Sequence, residues 1–279
     1  FKPTEEFLAY LKYSRGYKGP HINGLILNPR VISEAGEPLR TPVKPEKVDA
    51  LELGIKSSWV DNTLTLNGAL FYYDYKDIQI FQLRNSRNSA PIEQLINADD
   101  ARIYGGEIEI RSRPVVGRAP PSIEGLEVLL SFGWLNGTYN RFTSGIEGVN
   151  DEGIVEPEGV EYSGNRMINA PEFAFSGYAS WPLRSKYGTL TPRFDWTFKD
   201  QVFLSPENDP RIGQAPLWLF NLRLGYRTPD SKFEISGWVR NLTNEAYALE
   251  VINLARLRYS VVYAIGDPRT YGITVQARF

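Results

Sequence analysis

The chain contains no cysteine, one histidine and one methionine in 279 residues. Without cysteine there are no disulfides, no thiolate metal sites and no thiol nucleophiles. With His21 as the sole imidazole, any site needing two histidines is excluded as well. An excess of one charge is also missing, since 31 Lys+Arg against 33 Asp+Glu leave a formal charge of −2. Nucleic acid selects a basic surface, so no nucleic-acid partner is expected. No apolar run approaches the ~18 residues that a spanning helix needs, which excludes an α-helical membrane protein. The residues begin at Phe1 with no initiator methionine, basic stretch or apolar signal core, and any targeting signal is expected upstream or already removed.

Aromatic residues, by contrast, are plentiful: 16 Tyr, 14 Phe and 6 Trp stand beside 24 Gly and 19 Pro. Apolar residues recur with period two, not 3.6, which predicts an all-β chain. Phe233, Ile235, Gly237 and Val239 alternate with Glu234, Ser236, Trp238 and Arg240. Trp218, Phe220, Leu222, Leu224 and Tyr226 alternate in the same way, and Thr228-Pro229-Asp230-Ser231 joins the two as a hairpin turn. Further segments begin near Phe7, Leu51, Leu64, Tyr104, Leu126, Phe173, Leu190 and Tyr271, giving about ten strands.

Alternation alone also describes a soluble sandwich. Two features point to lipid instead. Long connections (16–46, 82–100, 137–168, 200–215 and 243–268) are expected to alternate with short ones (60–63, 114–124, 183–188 and 228–231), as in outer-membrane barrels. The apolar faces also finish in aromatics: Trp59, Tyr72, Trp134, Trp181, Trp218 and Tyr226. Such residues suit the headgroup boundary. The opposite faces carry charges of both signs, among them Glu52, Glu107, Arg111, Glu127, Arg193, Asp195, Arg223 and Glu234, which need water or one another. Together these features predict an antiparallel transmembrane β-barrel.

At this point the residues resemble the TonB-dependent outer-membrane receptors. The resemblance is strongest in Arg240-Asn241-Leu242-Thr243-Asn244-Glu245-Ala246-Tyr247, followed by Gly266-Asp267-Pro268-Arg269-Thr270-Tyr271-Gly272 and the last residue, Phe279. It continues in Tyr13–Gly19, Glu52–Lys56, Leu66–Gln79 and Asn169–Glu172. The resemblance implies a barrel of about 22 strands in the cell outer membrane of a Gram-negative bacterium. It also implies a plug and a TonB box, neither of which is found in residues 1–279. The chain is therefore expected to be the C-terminal portion of the barrel, with the earlier strands upstream.

The implied function is TonB-dependent uptake of a scarce solute, ferric siderophore by default, with no enzymatic activity and no cofactor. The implied partners are outer-membrane lipid, the TonB complex through the missing N-terminal region, and the barrel-assembly machinery. That machinery would read a C-terminal signal formed by Tyr271, Ile273, Val275, Ala277 and Phe279. The alternative from another class is a passive ten-stranded pore or structural barrel.

A barrel enzyme is disfavoured. The Asp-x-His pair of outer-membrane proteases would need an aspartate where Gly19 stands, and the phospholipase serine would fall at Asn23. No catalytic residue is assigned. For a ligand surface, loop aromatics and cations are the candidates: Tyr17, Lys18, His21 and Asn23 in the first long loop, and Arg256, Arg258 and Tyr259 in the last. Arg and Tyr suit carboxylate or catecholate groups through bidentate pairing and stacking. The acidic 143–162 loop lacks the regular spacing of a calcium loop, so it is read as a solvated surface and no metal site is assigned.

Overall fold

Period-two patterning becomes seventeen strands, with no helix among the described residues. The computed structural model describes residues 1–22, 42–86, 89–144, 148–149, 155–156, 159–254 and 260–278. In chain order the first five strands are β1 (Phe7–Lys18), β2 (Glu46–Trp59), β3 (Leu64–Ser86), β4 (Ser89–Ser112) and β5 (Glu127–Arg141). Two short ones follow, β6 (Gly148–Val149) and β7 (Val155–Glu156), and then β8 (Phe173–Ser180), β9 (Leu183–Ser185) and β10 (Gly188–Lys199). The remainder are β11 (Val202–Phe203), β12 (Gly213–Gln214), β13 (Leu217–Arg227), β14 (Phe233–Arg240), β15 (Ala248–Leu254), β16 (Ser260–Ile265) and β17 (Thr270–Ala277).

Ten strands make a single antiparallel wall in the order β1-β2-β3-β4-β5-β8-β10-β13-β14-β17, with β9 extending the β8 side of β10. The pairs β6–β7, β11–β12 and β15–β16 are separate hairpins inside the long connections. The wall is open: among the described residues β1 pairs only with β2, and β17 only with β14.

The apolar face of this wall has nothing packed on it. Leu53 and Leu224 are each 52% exposed and Ile273 is 74% exposed. A soluble sandwich would bury that face, whereas a contiguous apolar surface of this extent needs lipid or a partner. Aromatics border the face at both ends. Trp59, Trp181 and Tyr226 sit toward the short turns, while Tyr72, Tyr104 and Trp218 sit toward the long connections.

On the other face several charges are answered by neighbouring side chains. The Tyr10 hydroxyl donates to Glu52 at 2.6 Å, and the Tyr178 hydroxyl donates to Glu127. Arg193 pairs with Asp195 at 2.7 Å and stacks over the Tyr178 ring. Arg223 and Arg227 share Glu234 at 3.0 and 2.8 Å.

Turn chemistry sets the register. In the β2–β3 turn the Thr63 amide donates to the Val60 carbonyl at 3.0 Å, and Asp61 and Asn62 both take positive φ. That is the type I′ geometry whose twist suits a hairpin. In the β13–β14 turn the Ser231 amide donates to the Thr228 carbonyl at 2.9 Å, which places Pro229 at its preferred second position.

The expected 82–100 loop is corrected by the structure. Strands β3 and β4 run through it as a hairpin of 23 and 24 residues. At about 3.3 Å per residue β3 is ~75 Å long, roughly twice what a strand tilted by ~45° needs to cross a ~25 Å apolar band. The hairpin therefore projects well beyond the wall. Its exit is marked by Asp77, at φ 53°, whose carbonyl accepts the Asn97 side-chain amide at 2.7 Å. The 137–168 connection is likewise shortened by β5, which continues to Arg141.

The two C-terminal signatures prove to be halves of one clasp. Asn241, at φ 49° and 6% exposed, donates through Nδ2 to the Glu245 and Asp267 carbonyls at 2.8 and 3.1 Å. Its Oδ1 accepts the Glu245 amide at 2.8 Å. Asn244 Oδ1 accepts the Arg269 amide at 2.9 Å, and the Gly266 amide donates to Tyr247 O at 2.9 Å. A Cβ on Gly266 would lie 2.1 Å from the Tyr247 ring, so the glycine is needed for this contact. The clasp fixes the start of β17 to the end of β14 across the whole last connection. Tyr271, Ile273 and Val275 then face outward, Ala277 pairs with Phe233, and Phe279 lies outside the described residues.

Asn241→Ala removes three hydrogen bonds and places a Cβ-bearing residue without a polar side chain at positive φ. It is expected to lower the unfolding free energy of the vesicle-embedded protein by about 3 kcal/mol in urea titration. A change below about 0.5 kcal/mol, the scale of a neutral surface substitution, would contradict the clasp.

Candidate functional site

The long connections gather at one end of the wall, and there the chain builds its main water-excluding core. Ile78 and Ile80 of β3, Ala98 and Ala101 of β4, and Tyr139 of β5 pack with Phe142, Tyr162 and Met167. Tyr139 and Phe142 are fully buried, with ring centroids 5.1 Å apart, and Phe142 meets Tyr162 at 5.2 Å. A lipid-facing wall needs no such core, because its apolar side chains are already out of water. The projecting hairpin and the loops stand in water and must bury their own.

Hydrogen bonds then link each long connection to the next. Gln79, 8% exposed, donates from Nε2 to Gly19 O at 2.9 Å and Lys44 O at 3.0 Å. Asn97 accepts the Lys44 amide at 2.7 Å, and the Val43 amide donates to His21 O at 2.9 Å. Both ends of the first connection are thereby tied to the hairpin. Further along, Asn208 accepts the Arg166 amide at 2.7 Å and returns its own amide to Arg166 O at 2.9 Å. Asn165 donates to Pro206 O at 2.8 Å. The Tyr263 hydroxyl donates to Arg211 O at 2.7 Å, and Gln214 accepts the Ala248 amide at 2.5 Å. The described parts of the connections thus form one rim.

Charge on the rim is mixed and mostly paired. Arg15 grips both Asp49 oxygens at 2.7 and 2.9 Å, and the Tyr13 hydroxyl adds 2.6 Å, holding the Asp49 carboxyl down to about 2. Arg211 clamps Asp209 at 2.6 Å and keeps its carboxyl below the ordinary range. Hydrogen bonds from Ser163 lower Glu161 similarly. Burial pushes the Tyr139 phenol up to about 12.

Of the ligand candidates, Tyr17 and Lys18 lie at the rim end of β1, where Tyr17 is 67% exposed. His21 is exposed two residues beyond the pinned Gly19, with its Nδ1 2.8 Å from Gly19 O. These three share one corner. Asn23, Arg256, Arg258 and Tyr259 lie outside the described residues, as do Glu147, Asp151, Glu152 and Glu158 of the acidic loop. Sheet order sets the first and last connections at opposite margins of the wall. Gln79, Asn97 and Arg211 were not anticipated from the residues alone. The only trace of them was the polar run Asn97-Ala98-Asp99-Asp100, in which the buried Ala98 stands between Asn97 and Asp99. Among the described residues no group of three or more His, Asp or Glu is placed to hold a metal.

Residues 1–242 match the family described as TonB dependent receptor-like, beta-barrel. The pesticin receptor of Yersinia pestis is 25% identical over 247 residues, which span 88% of this chain and 30% of that protein. The ferric yersiniabactin uptake receptor FyuA from Yersinia pestis superposes with a TM-score of 0.72 at 21% identity, covering all of this chain and 36% of the receptor. The copper transporter OprC gives 0.68 at 14% identity, over 99% of this chain and 38% of that one. This chain thus spans about a third of the length of these proteins.

Two measurements test the rim. Gln79→Leu should speed hydrogen exchange of the Val43 amide about tenfold or more, because the two carbonyls that it holds are released. An unchanged rate would contradict the pinning. The Tyr139 phenol has a folded value above the ordinary ~10, so the stability it supports is complete below that pH and is lost as pH rises from ~10 to 12. Phenolate absorbance should show a late-ionising tyrosine fraction, and Tyr139→Phe should reduce that fraction by one tyrosine.

Proposed function

The chain belongs to the TonB dependent receptor-like β-barrel family, and on that premise we propose that it forms the C-terminal part of the wall of an active-transport receptor. The receptor lies in the outer membrane and takes up a scarce solute at the expense of energy delivered through TonB. It is a transporter and not an enzyme. The observation that carries this reading is the open ten-stranded wall, with a bare apolar exterior, a charged interior and a consolidated rim at one end. A self-contained ten-stranded pore would require β1 to pair with β17, and those two strands stand at opposite margins. The remaining strands, the plug and the TonB-contacting segment belong to the longer protein. Strand β17, with Tyr271, Ile273 and Val275 outward, is the surface offered to the assembly machinery.

Ferric siderophore is the proposed cargo. The name of one relative, a ferric yersiniabactin uptake receptor, supports that class, while the copper transporter shares the wall without it. The wall therefore does not choose the cargo, and the choice falls to the rim. Tyr17, Lys18 and His21 offer a stacking ring, a cation and an imidazole at one exposed corner, suited to an anionic, aromatic chelate.

A strain lacking the full-length gene should fail to grow on the cognate ferric siderophore under iron limitation. Radiolabelled iron uptake should be restored by the gene and abolished again when TonB is absent. Uptake that persists without TonB would mean a passive pore, and rescue by copper alone would overturn the cargo. Lys18→Ala is expected to weaken binding of the cognate ferric chelate about fivefold, read by tryptophan fluorescence titration.

A further inference from the structure

The projecting β3–β4 hairpin changes character at one level. Below it the hairpin is flanked by β2 and β5; above it neither continues, since β2 begins at Glu46 and β5 ends at Arg141. The rimmost flanking pairs are Lys47–Lys76 and Asp100–Arg141. Four strands thus become two, and a two-stranded ribbon has little stability of its own. The pleat also reverses here. Tyr75 and Ile78 of β3, three residues apart, both pack into the rim core, as do Ala98 and Ala101 of β4. In an unbroken strand such residues would face opposite sides. The reversal coincides with Asp77, in the left-handed region, and with a bulge of β4 against β5 between Asp100 and Ala101.

Above the kink the two faces of the hairpin are held by different means. Ile78, Ile80 and Ala98 rest on the rim core, on the inner side that Ala101 shares with Glu107 and Glu109. Gln79 stands between Ile78 and Ile80, and Asn97 lies opposite it in the ladder, so both face the outer side. There they meet residues 42–45. Pro42 and Pro45 stiffen that segment, and the residue before a proline is confined to extended backbone, which keeps Lys44 straight. Gln79 Nε2 donates to Lys44 O at 3.0 Å and to Gly19 O at 2.9 Å. Asn97 Nδ2 donates to Lys44 O at 3.1 Å and to Asp77 O at 2.7 Å, and its Oδ1 accepts the Lys44 amide at 2.7 Å. Lys44 Nζ lies 3.3 Å from the Asp77 carboxylate.

These parts make a lever. The core beside the kink is a fulcrum on the inner side, and the proline-stiffened segment is a tie on the outer side. Each of these bonds between tie and hairpin involves a side chain of Gln79 or Asn97 or the ammonium of Lys44, so the tie can open without breaking a strand pair. The arm is long: from Asp77 to Ser86, at about 3.3 Å per residue, it reaches ~30 Å, and a rotation of about 20° moves its tip ~10 Å. Hinges of this kind are a few element-terminal residues that absorb a large change in φ and ψ, and Asp77 already sits off the strand conformation.

We propose that residues 42–45 are the latch of a hinge at Asp77. Closed on Gln79 and Asn97, the latch holds the β3–β4 hairpin at one angle to the wall. Opened, it lets the hairpin tip inward as a unit, pivoting on the core with its own ladder intact. The device rests on the fold, and neither the transport reading nor the identity of the cargo enters it.

The test uses the full-length receptor in lipid vesicles, without cargo. Residues 1–279 contain no cysteine, and any upstream cysteine is replaced by serine. Nitroxides are placed at Phe81→Cys in the hairpin and Leu224→Cys on the wall, four strands from β4, where the native side chains are 51% and 52% exposed. Double electron–electron resonance should give one narrow distance with the latch closed. Asn97→Ala should at least double the width of that distribution, extending it toward shorter distances, and Gln79→Leu should do the same. Asn208→Ala, which cuts the separate rim tie to Arg166, should leave it at wild type. In the latch variants the ladder amides between Ile78 and Ile96 should keep their protection from hydrogen exchange, because the hairpin moves whole. The proposal is overturned if both latch variants keep the wild-type width, if Asn208→Ala broadens it equally, or if the hairpin amides lose protection, which is fraying and not a hinge. Should Asn97→Ala fail to fold, Gln79→Leu decides alone.

Discussion

Hydrocarbon offers no hydrogen-bond partner, so every amide and carbonyl that crosses it must be answered by a neighbouring strand. That single requirement organises this chain. It dictates a continuous ladder, hence antiparallel strands joined nearest to nearest. It leaves side chains free to divide between two solvents with period two. It also explains where the fold is permitted to be irregular. Positive φ at Asp61, Asn62, Asp77, Asn241 and Asn244 occurs in turns and at the rim, where side chains or water supply what the ladder does not. Within the wall a clear lapse, at Pro182 and Pro192, lies at the turn-side boundary and not at mid-membrane.

The two ends of the wall are built on different physics. Along the wall, apolar side chains leave water by facing lipid, and packing between them is secondary. Beyond the wall the solvent changes back, and the chain must make a core of ordinary kind from whatever its connections bring together. The β3–β4 hairpin provides the mast, and Phe142, Tyr162 and Met167 wrap it. Side-chain amides then do what strand pairing did below: Gln79, Asn97, Asn165 and Asn208 answer the carbonyls of chain segments that have no ladder. The rim is thus a second, water-soluble structure standing on a lipid-soluble one.

Strand phase was readable because it depends on solvent alone. Leu51, Leu53 and Ile55 face lipid whatever lies elsewhere in the chain, and the structure places them so. The upper half of the hairpin was not readable in that way. Ile78 and Ile80 alternate with polar residues over only a few positions, and what buries them is Tyr139, Phe142 and Tyr162, some sixty to eighty residues later. A contact between loops leaves no local period. The C-terminal signatures stand between these cases. Their asparagines and glycine announce turns, but that Asn241 reaches Asp267 and Tyr247 covers Gly266 is a fact about two segments meeting. The ligand corner is less readable still, since exposure of Tyr17 and His21 is what any loop would show.

One glycine of the last strand carries a further meaning. Gly272 lies opposite Trp238, whose indole would overlap a Cβ there at 2.6 Å. Shift β17 by one residue and Tyr271 or Ile273 takes that place; shift it by two and Thr270 or Thr274 does. None of these leaves room for the ring. The indole therefore works as a ward in a lock, admitting the final strand in one alignment and obstructing its near neighbours. A chain that is threaded strand by strand into a membrane has few chances to correct a slipped register, and here the check is made by shape before the ladder closes.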